Sequence, residues 1–250
     1  MKRKTPRTRL DHLLMARGLA SNAQKAQAMI LAGEVFVNGV RVSTSGTPIA
    51  EDALVEVNSR EQRYASRGGF KLEGALRHFH VDPASKVCLD VGSSTGGFTD
   101  CLLQHGATRV YAVDVTVDQI AWKLRQDPRV LRIERNAREL SAQDIPELVD
   151  LVTVDVSFIS AGKVLPPAAA VAKEGATFLV LVKPQFELGR EEIGPGGIVA
   201  DAALHEKAVS IVKKAAASAG LECLGLQPSQ LAGAEGNQEY FLHARKNSLR

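Results

Sequence analysis

A chain of 250 residues with 45% hydrophobic and 24% charged side chains has the make-up of a folded protein of one large or two unequal domains, which excludes a disordered or fibrous chain. Aromatic residues are only 5%, so aliphatic side chains must build the core. The net charge of +3 selects no partner, but its distribution is uneven: residues 1–66 hold ten Lys and Arg against six Asp and Glu, and residues 67–250 hold 21 against 22. A basic first quarter points toward nucleic acid. The cysteines, Cys88, Cys101 and Cys223, form no CxxC pair and are odd in number, so no zinc site or disulfide framework is expected and a reducing compartment fits. The basic start Lys2-Arg3-Lys4-Thr5-Pro6-Arg7 leads into no apolar stretch, and the longest apolar runs, such as 177–182, are too short for a bilayer. The expectation is a cytoplasmic protein with no secretion signal, no membrane partner and no obligate metal. The oligomeric state is not readable.

In chain order, Leu10, Leu13, Leu14 and Leu19 fall at helical spacing, with Gly18 as the stop. Ser21 or Asn22 caps a second helix in which Ala26, Met29 and Ile30 share a face. Gly33 to Val42 reads as strand, Asn38-Gly39 turn and strand, a hairpin. Val55 and Val57 end a further strand, and polar residues follow. The expected domains are 1–58, a linker 59–66, and 67–250. The stretches Arg9-Leu10-Asp11, Ala26…Ile30…Gly33 and Val35-Phe36-Val37-Asn38-Gly39 resemble the S4 RNA-binding module over about residues 7–58. That resemblance implies RNA binding, with Arg7, Arg9, Arg17, Lys25 and Arg41 as phosphate contacts; Arg67, at the start of the second domain, joins them. The module usually carries Ser-Arg at the start of its second helix. Here the residues are Ser21-Asn22-Ala23, without that Arg.

From residue 67, largely apolar runs at 87–89, 110–113, 130–133, 151–154 and 177–182 alternate with helical patterns at 97–105, 118–125 and 159–173. Such alternation predicts a parallel sheet covered on both faces. A helix over 202–218 and strands near 221–227 and 239–245 close the domain. The first strand runs into Asp90-Val91-Gly92-Ser93-Ser94-Thr95-Gly96-Gly97-Phe98-Thr99-Asp100, a small-residue loop opening a helix. It is not GxGxxG, so a nicotinamide dinucleotide is not indicated. A carboxylate at Asp90 beside a loop of little bulk suits a cofactor carrying an ammonium group, and small residues admit close backbone approach. Asp114 ends the second strand, where a carboxylate can accept ribose hydroxyls. With Val115, Asn136 and Asp155 these residues form an expected S-adenosylmethionine site: Asp90, Gly92, Ser93, Ser94, Thr95, Gly96, Gly97, Phe98, Thr99, Asp114, Val115, Asn136 and Asp155.

Polar residues also collect at strand ends. Asp155 follows the fourth strand, Lys183 follows the fifth, Glu239 opens the last, and Lys71 precedes the first. If the last strand is antiparallel, these residues converge on the cofactor edge. Two lysines and two carboxylates suit methylation of a hydroxyl: a lysine takes the proton or steadies the alkoxide, an acid holds the lysine, and alignment supplies much of the rate. No Asn/Asp-Pro-Pro-Tyr pattern for amine methylation follows the fourth strand.

The stretches Ser66-Arg67-Gly68-Gly69…Lys71-Leu72, the glycine loop, Asp155-Val156-Ser157-Phe158-Ile159-Ser160, Val182-Lys183-Pro184-Gln185-Phe186-Glu187 and Gly236-Asn237-Gln238-Glu239 resemble the TlyA family of ribosomal RNA 2′-O-methyltransferases, whose catalytic half is similar to FtsJ-type enzymes. The resemblance implies an α/β fold: a Rossmann-like class I methyltransferase sheet, mostly parallel with the last strand antiparallel, behind a small α+β RNA-binding domain. It further implies cytidine 2′-O-methylation in ribosomal RNA or ribosomal subunits, S-adenosylmethionine as cofactor, and a Lys71-Asp155-Lys183-Glu239 tetrad with Lys183 as central base. A family loop that usually reads Lys-Gly-Gly-Val-Val-Arg-Asp is here Pro195-Gly196-Gly197-Ile198-Val199-Ala200-Asp201, two basic residues short. Competing readings are an RNA-binding assembly factor with lost activity, a small-molecule methyltransferase, and a cytolysin.

Overall fold

The computed structural model describes residues 6–20, 22–57, 63–233 and 236–248. The chain forms two compact units, Met1–Arg63 and Tyr64–Arg250, taken here separately. Part of the expected linker lies outside the described residues. Its end does not behave as a linker: Tyr64 is fully buried in the second unit's core, and Ala65 N–H donates to the Asp100 carboxylate at 2.7 Å.

The first unit comprises β1 (Arg7–Arg9), α1 (Leu10–Ala16), α2 (Ala23–Leu31), β2 (Val35–Val37), β3 (Val40–Arg41), β4 (Pro48–Ala50) and β5 (Val55–Val57). Leu10, Leu13 and Leu14 pack on Ala26, Met29, Ile30, Val35, Val37 and Ile49. Asn22 caps α2, accepting from Lys25 N at 2.8 Å. Asn38 and Gly39 both take positive φ (49° and 78°), the backbone of a two-residue hairpin turn. Two details differ from expectation. The first helix stops at Ala16, which leaves Leu19 outside it and exposed. The short pairing of β1 with β4 was not anticipated, because three-residue strands carry almost no periodic signal.

The second unit comprises α3 (Gly68–His78), β6 (Val87–Val91), α4 (Gly97–Gln104), β7 (Arg109–Asp114), α5 (Trp122–Arg125), β8 (Val130–Glu134), β9 (Val149–Val154), α6 (Leu165–Ala170), β10 (Ala172–Val182), α7 (Pro184–Glu187), α8 (Ala202–Ser218), β11 (Leu221–Pro228) and β12 (Tyr240–Lys246). One sheet of seven strands runs in the order β11-β12-β10-β9-β6-β7-β8. β12 is antiparallel to both neighbours, and the pairings among β10, β9, β6, β7 and β8 are parallel. Strand alternation divides the core in two. Leu89, Val91, Val152, Val154, Val180 and Val182 face α6 and α8. Cys88, Leu151, Leu179, Leu181 and Phe241 face α3 and α4.

The helix expected over 118–125 is a 3-10 turn at Val117–Gln119 and the short α5. The helix expected over 159–173 is a turn at Ala161–Lys163 and α6, and β10 begins at Ala172. α3 was not anticipated, since Gly68-Gly69 is a poor helix opening; the glycine is needed there because the Tyr64 ring lies where a Cβ on Gly69 would be. The three cysteines are free. Among the described residues no helix is long and apolar enough to cross a membrane, and no cluster of three metal-ligating side chains exists.

Candidate active site

The carboxyl ends of the parallel strands share one edge of the sheet, where open α/β sheets place their ligands. After β6 the chain turns at Gly92 (φ +87°), and the Gly92 and Ser93 amides both donate to Val113 O. A Cβ on Gly92 would collide with the Asp155 carbonyl, and one on Gly97 with Ser66 Oγ. The glycines therefore let three segments meet: the loop, the end of β9 and the start of α3. Ser94 N–H donates to Asp114 Oδ2 at 2.9 Å, which ties the loop to the end of β7.

Two adjoining cavities open there. One, of about 310 Å³, is walled by Ser66, Arg67 and Lys71 on one side and by Gly92 to Thr95, Gly97, Phe98 and Asp155 on the other. The second, of about 360 Å³, is walled by Asp114, Val115, Arg135, Asn136 and the loop from Asp155 to Ile159. Gly92, Ser94 and Asp155 line both.

Three residues expected to touch the cofactor lie behind the cavity wall instead. Asp90 is wholly buried: its two oxygens accept from Thr99 Oγ1 (2.7 Å) and Thr153 Oγ1 (3.0 Å). Parity is the cause. Leu89 and Val91 point to the α6 side, so Asp90 points under α4, beside its register partner Thr153. Thr99 is consumed by that contact. Gly96 (φ +90°) packs against Ile120 and Leu124. Burial pushes the Asp90 carboxyl up to about 7, against the lowering by the two threonine hydroxyls.

An unfolded aspartate titrates near ~4. Between those values the folded protein holds a proton that the unfolded chain has released, so stability falls as pH rises through this window, by up to about 1.4 kcal/mol per pH unit. Asp90→Asn is expected to remove that slope. Melting temperatures of both proteins at pH 5 and pH 8 check it, and parallel pH dependences would contradict it.

The four expected catalytic residues form two ion pairs. Lys71 Nζ lies 2.5 Å from Glu239 Oε2, with both side chains buried. Lys183 Nζ lies 2.5 Å from Asp155 Oδ1 and donates to Ser157 Oγ at 2.9 Å. Lys71 and Asp155 line the same cavity. The loop after Asp155 is fixed from below: Glu187 accepts from Ser160 Oγ (2.5 Å) and Ala161 N (2.8 Å), and burial pushes its carboxyl up.

Sequence reasoning missed Phe158. It takes φ +65°, stands 87% exposed at the cavity mouth, and contacts the Phe186 ring at 5.2 Å. A strained, exposed aromatic carries no sequence signal beyond its place in the loop. Arg135 and Ser157, which also line the second cavity, were missed as well.

The expected RNA contacts are unevenly placed. Arg7 and Lys25 are exposed. Arg9 is paired with Asp11 at 2.7 Å. Arg17 donates to the Glu51 and Ala53 carbonyls, and Arg41 lies over the C-terminus of α2. Arg67 faces the first cavity in the second unit.

A parallel sheet with one reversed strand, a glycine loop after its first strand and an acidic residue after its second define a Rossmann-like methyltransferase. The chain matches the FtsJ-like methyltransferase model over residues 64–246 and the S4 domain over residues 8–55. It is 46% identical to YqxC of Bacillus subtilis over 94% of this chain and 84% of that one. It is 44% identical to TlyA of Mycobacterium tuberculosis over 98% and 92%. A solved structure of a hemolysin-named protein from Streptococcus thermophilus superposes with a TM-score of 0.76 at 40% identity, covering 98% of this chain and 90% of that one. The chain belongs to the FtsJ-like methyltransferase family, in the TlyA group, with an S4 domain ahead of the catalytic one.

Proposed function

We propose that this enzyme methylates the 2′-hydroxyl of a cytidine ribose in ribosomal RNA, using S-adenosylmethionine, with Lys183 as the base of a Lys71-Asp155-Lys183-Glu239 tetrad. The observation that carries the reading is the cavity lined by both Asp155 and Lys71, with Lys183 held on Asp155 from behind its wall. The TlyA relative is named a 16S/23S rRNA (cytidine-2′-O)-methyltransferase, which supports the substrate class. Such a substrate implies a cytoplasmic enzyme working on ribosomal subunits.

The residues fit the cofactor. Asp114 offers a carboxylate to ribose hydroxyls, Val115 and Ile159 offer apolar surface to a purine, and Asn136 lies beside them. Ser93, Thr95 and the glycine-backed floor of the first cavity leave room for an amino-acid tail. Bound there, S-adenosylmethionine supplies an electrophilic methyl group. In its neutral amine form Lys183 takes the proton of the attacking hydroxyl and becomes the ammonium that pairs with Asp155; Asp155 and Ser157 fix its Nζ. Lys71, anchored by Glu239, places a second cation beside the same oxygen. Phe158 and Phe186 present ring faces next to Lys183 for the target base.

Gly92→Ala is expected to weaken cofactor binding about ten- to a hundredfold, since a left-handed φ and the Asp155 carbonyl both oppose the methyl. Calorimetric titration with S-adenosylhomocysteine measures this, and an unchanged Kd contradicts it. The function itself is tested by offering labelled S-adenosylmethionine with unmodified ribosomal RNA and ribosomal subunits: RNA should take the label. One observation favours an assembly factor without activity, namely Pro195 and Ala200 in place of basic residues. It predicts cofactor binding with no label in RNA.

A further inference from the structure

Trp122 is the chain's single tryptophan, and it stands 72% exposed. Its neighbours are anchored. Ala121 N–H donates to Thr95 O of the glycine loop at 3.1 Å, and Ile120 and Leu124 fill the space over Gly96. The indole alone is left in water, one residue from the contact with the glycine loop, an arrangement that marks an interaction site when polar, charged residues accompany it.

The charge around it is one-sided. Residues 122–138 hold six Lys and Arg against two Asp and Glu, whereas the rest of residues 67–250 holds fifteen against twenty. This stretch runs from α5 through the edge strand β8, against which α5 packs, to Arg135 and Asn136 in the cavity wall. Arg132 and Arg138 are exposed and have no carboxylate partner among the described residues. Of the six cations, Lys123, Arg129 and Arg135 are paired with Asp100, Asp127 and Asp144, which leaves Arg132 and Arg138 as the exposed, free charges of this stretch among the described residues. An exposed aromatic with such cations on the same segment is complementary to a polyanion with stackable bases. A second copy of the chain would bring like charge against like.

We propose that Trp122 is a stacking platform for an unpaired RNA base outside the target nucleotide, with Arg132 taking a neighbouring phosphate. The inference rests on the proposed function. Trp122→Ala raises the KM for RNA on the order of tenfold, the scale of one base–aromatic stack, while kcat at saturating RNA and the affinity for S-adenosylhomocysteine hold. Trp122→Phe falls between. Because no other tryptophan emits, wild-type fluorescence is quenched when RNA binds at concentrations where a gel shift shows the complex, and is not quenched by S-adenosylhomocysteine alone. An unchanged KM in Trp122→Ala overturns the inference. So does quenching by S-adenosylhomocysteine alone, which makes the indole a cofactor lid, or emission that tracks protein concentration, which makes it a self-association contact. If Trp122→Ala does not fold, an unquenched RNA complex of the wild type overturns it. A wild type that labels no RNA overturns the proposed function itself, whereas an active wild type with these negative results overturns Trp122 alone.

Discussion

Replacing Lys183 by alanine is expected to slow methyl transfer by about 10²- to 10⁴-fold, the span that a positioned acid–base group contributes, and to leave cofactor affinity unchanged. The reason is local. Lys183 leaves β10 on the side facing α3, its Nζ is held by Asp155 at 2.5 Å and Ser157 at 2.9 Å, and it lies outside the walls of the two cavities that would hold the cofactor. Lys183→Arg separates two roles for the same nitrogen. An arginine keeps the cation but does not give up its proton in proteins. If Lys183 accepts the hydroxyl proton, Arg is as slow as Ala; if a positive charge suffices, Arg retains much of the rate. Single-turnover transfer to RNA with all three proteins reads this directly. Full-rate transfer by Lys183→Ala would remove Lys183 from the mechanism.

The largest expected effect on stability is at Glu239. Its carboxylate and the Lys71 ammonium are both buried and in contact. Removing one partner leaves the other's charge without compensation, at about 3–5 kcal/mol, which for a catalytic unit of this size lowers its melting temperature by roughly 6–20 °C. Glu239→Leu and Lys71→Met should each show this loss. The double replacement Lys71→Met with Glu239→Leu should recover most of it, because two apolar side chains bury no charge, yet it should not recover activity. Thermal unfolding of the four proteins forms the cycle. Additive losses in the double variant would show that the pair is not coupled.

Much of this site was readable because strand parity is a simple rule. Leu151, Leu181 and Phe241 face α3, and counting by twos carries Asp155, Lys183 and Glu239 to the same side. Lys71 arrives from the helix that covers that face. The hairpin at Asn38-Gly39 was legible because a left-handed turn demands those residues. The same parity, applied to Leu89 and Val91, places Asp90 under α4, buried between Thr99 and Thr153. Other features had no local signal. Gly69 opens a helix despite its poor propensity, because the Tyr64 ring occupies the space a Cβ there would need. α5 and α6 are single turns shaped by packing against the sheet, so apolar periodicity overestimated them. Phe158 and Trp122 are exposed, and nothing in an unaligned sequence distinguishes an exposed aromatic from a buried one.

The central claim is the atom that receives the methyl group. Unmodified ribosomal RNA labelled by the wild-type protein, digested to nucleosides and separated by mass, should yield 2′-O-methylcytidine as the labelled product, and Lys183→Ala should yield none. Label on a base, on another ribose, or in no RNA at all would contradict the account.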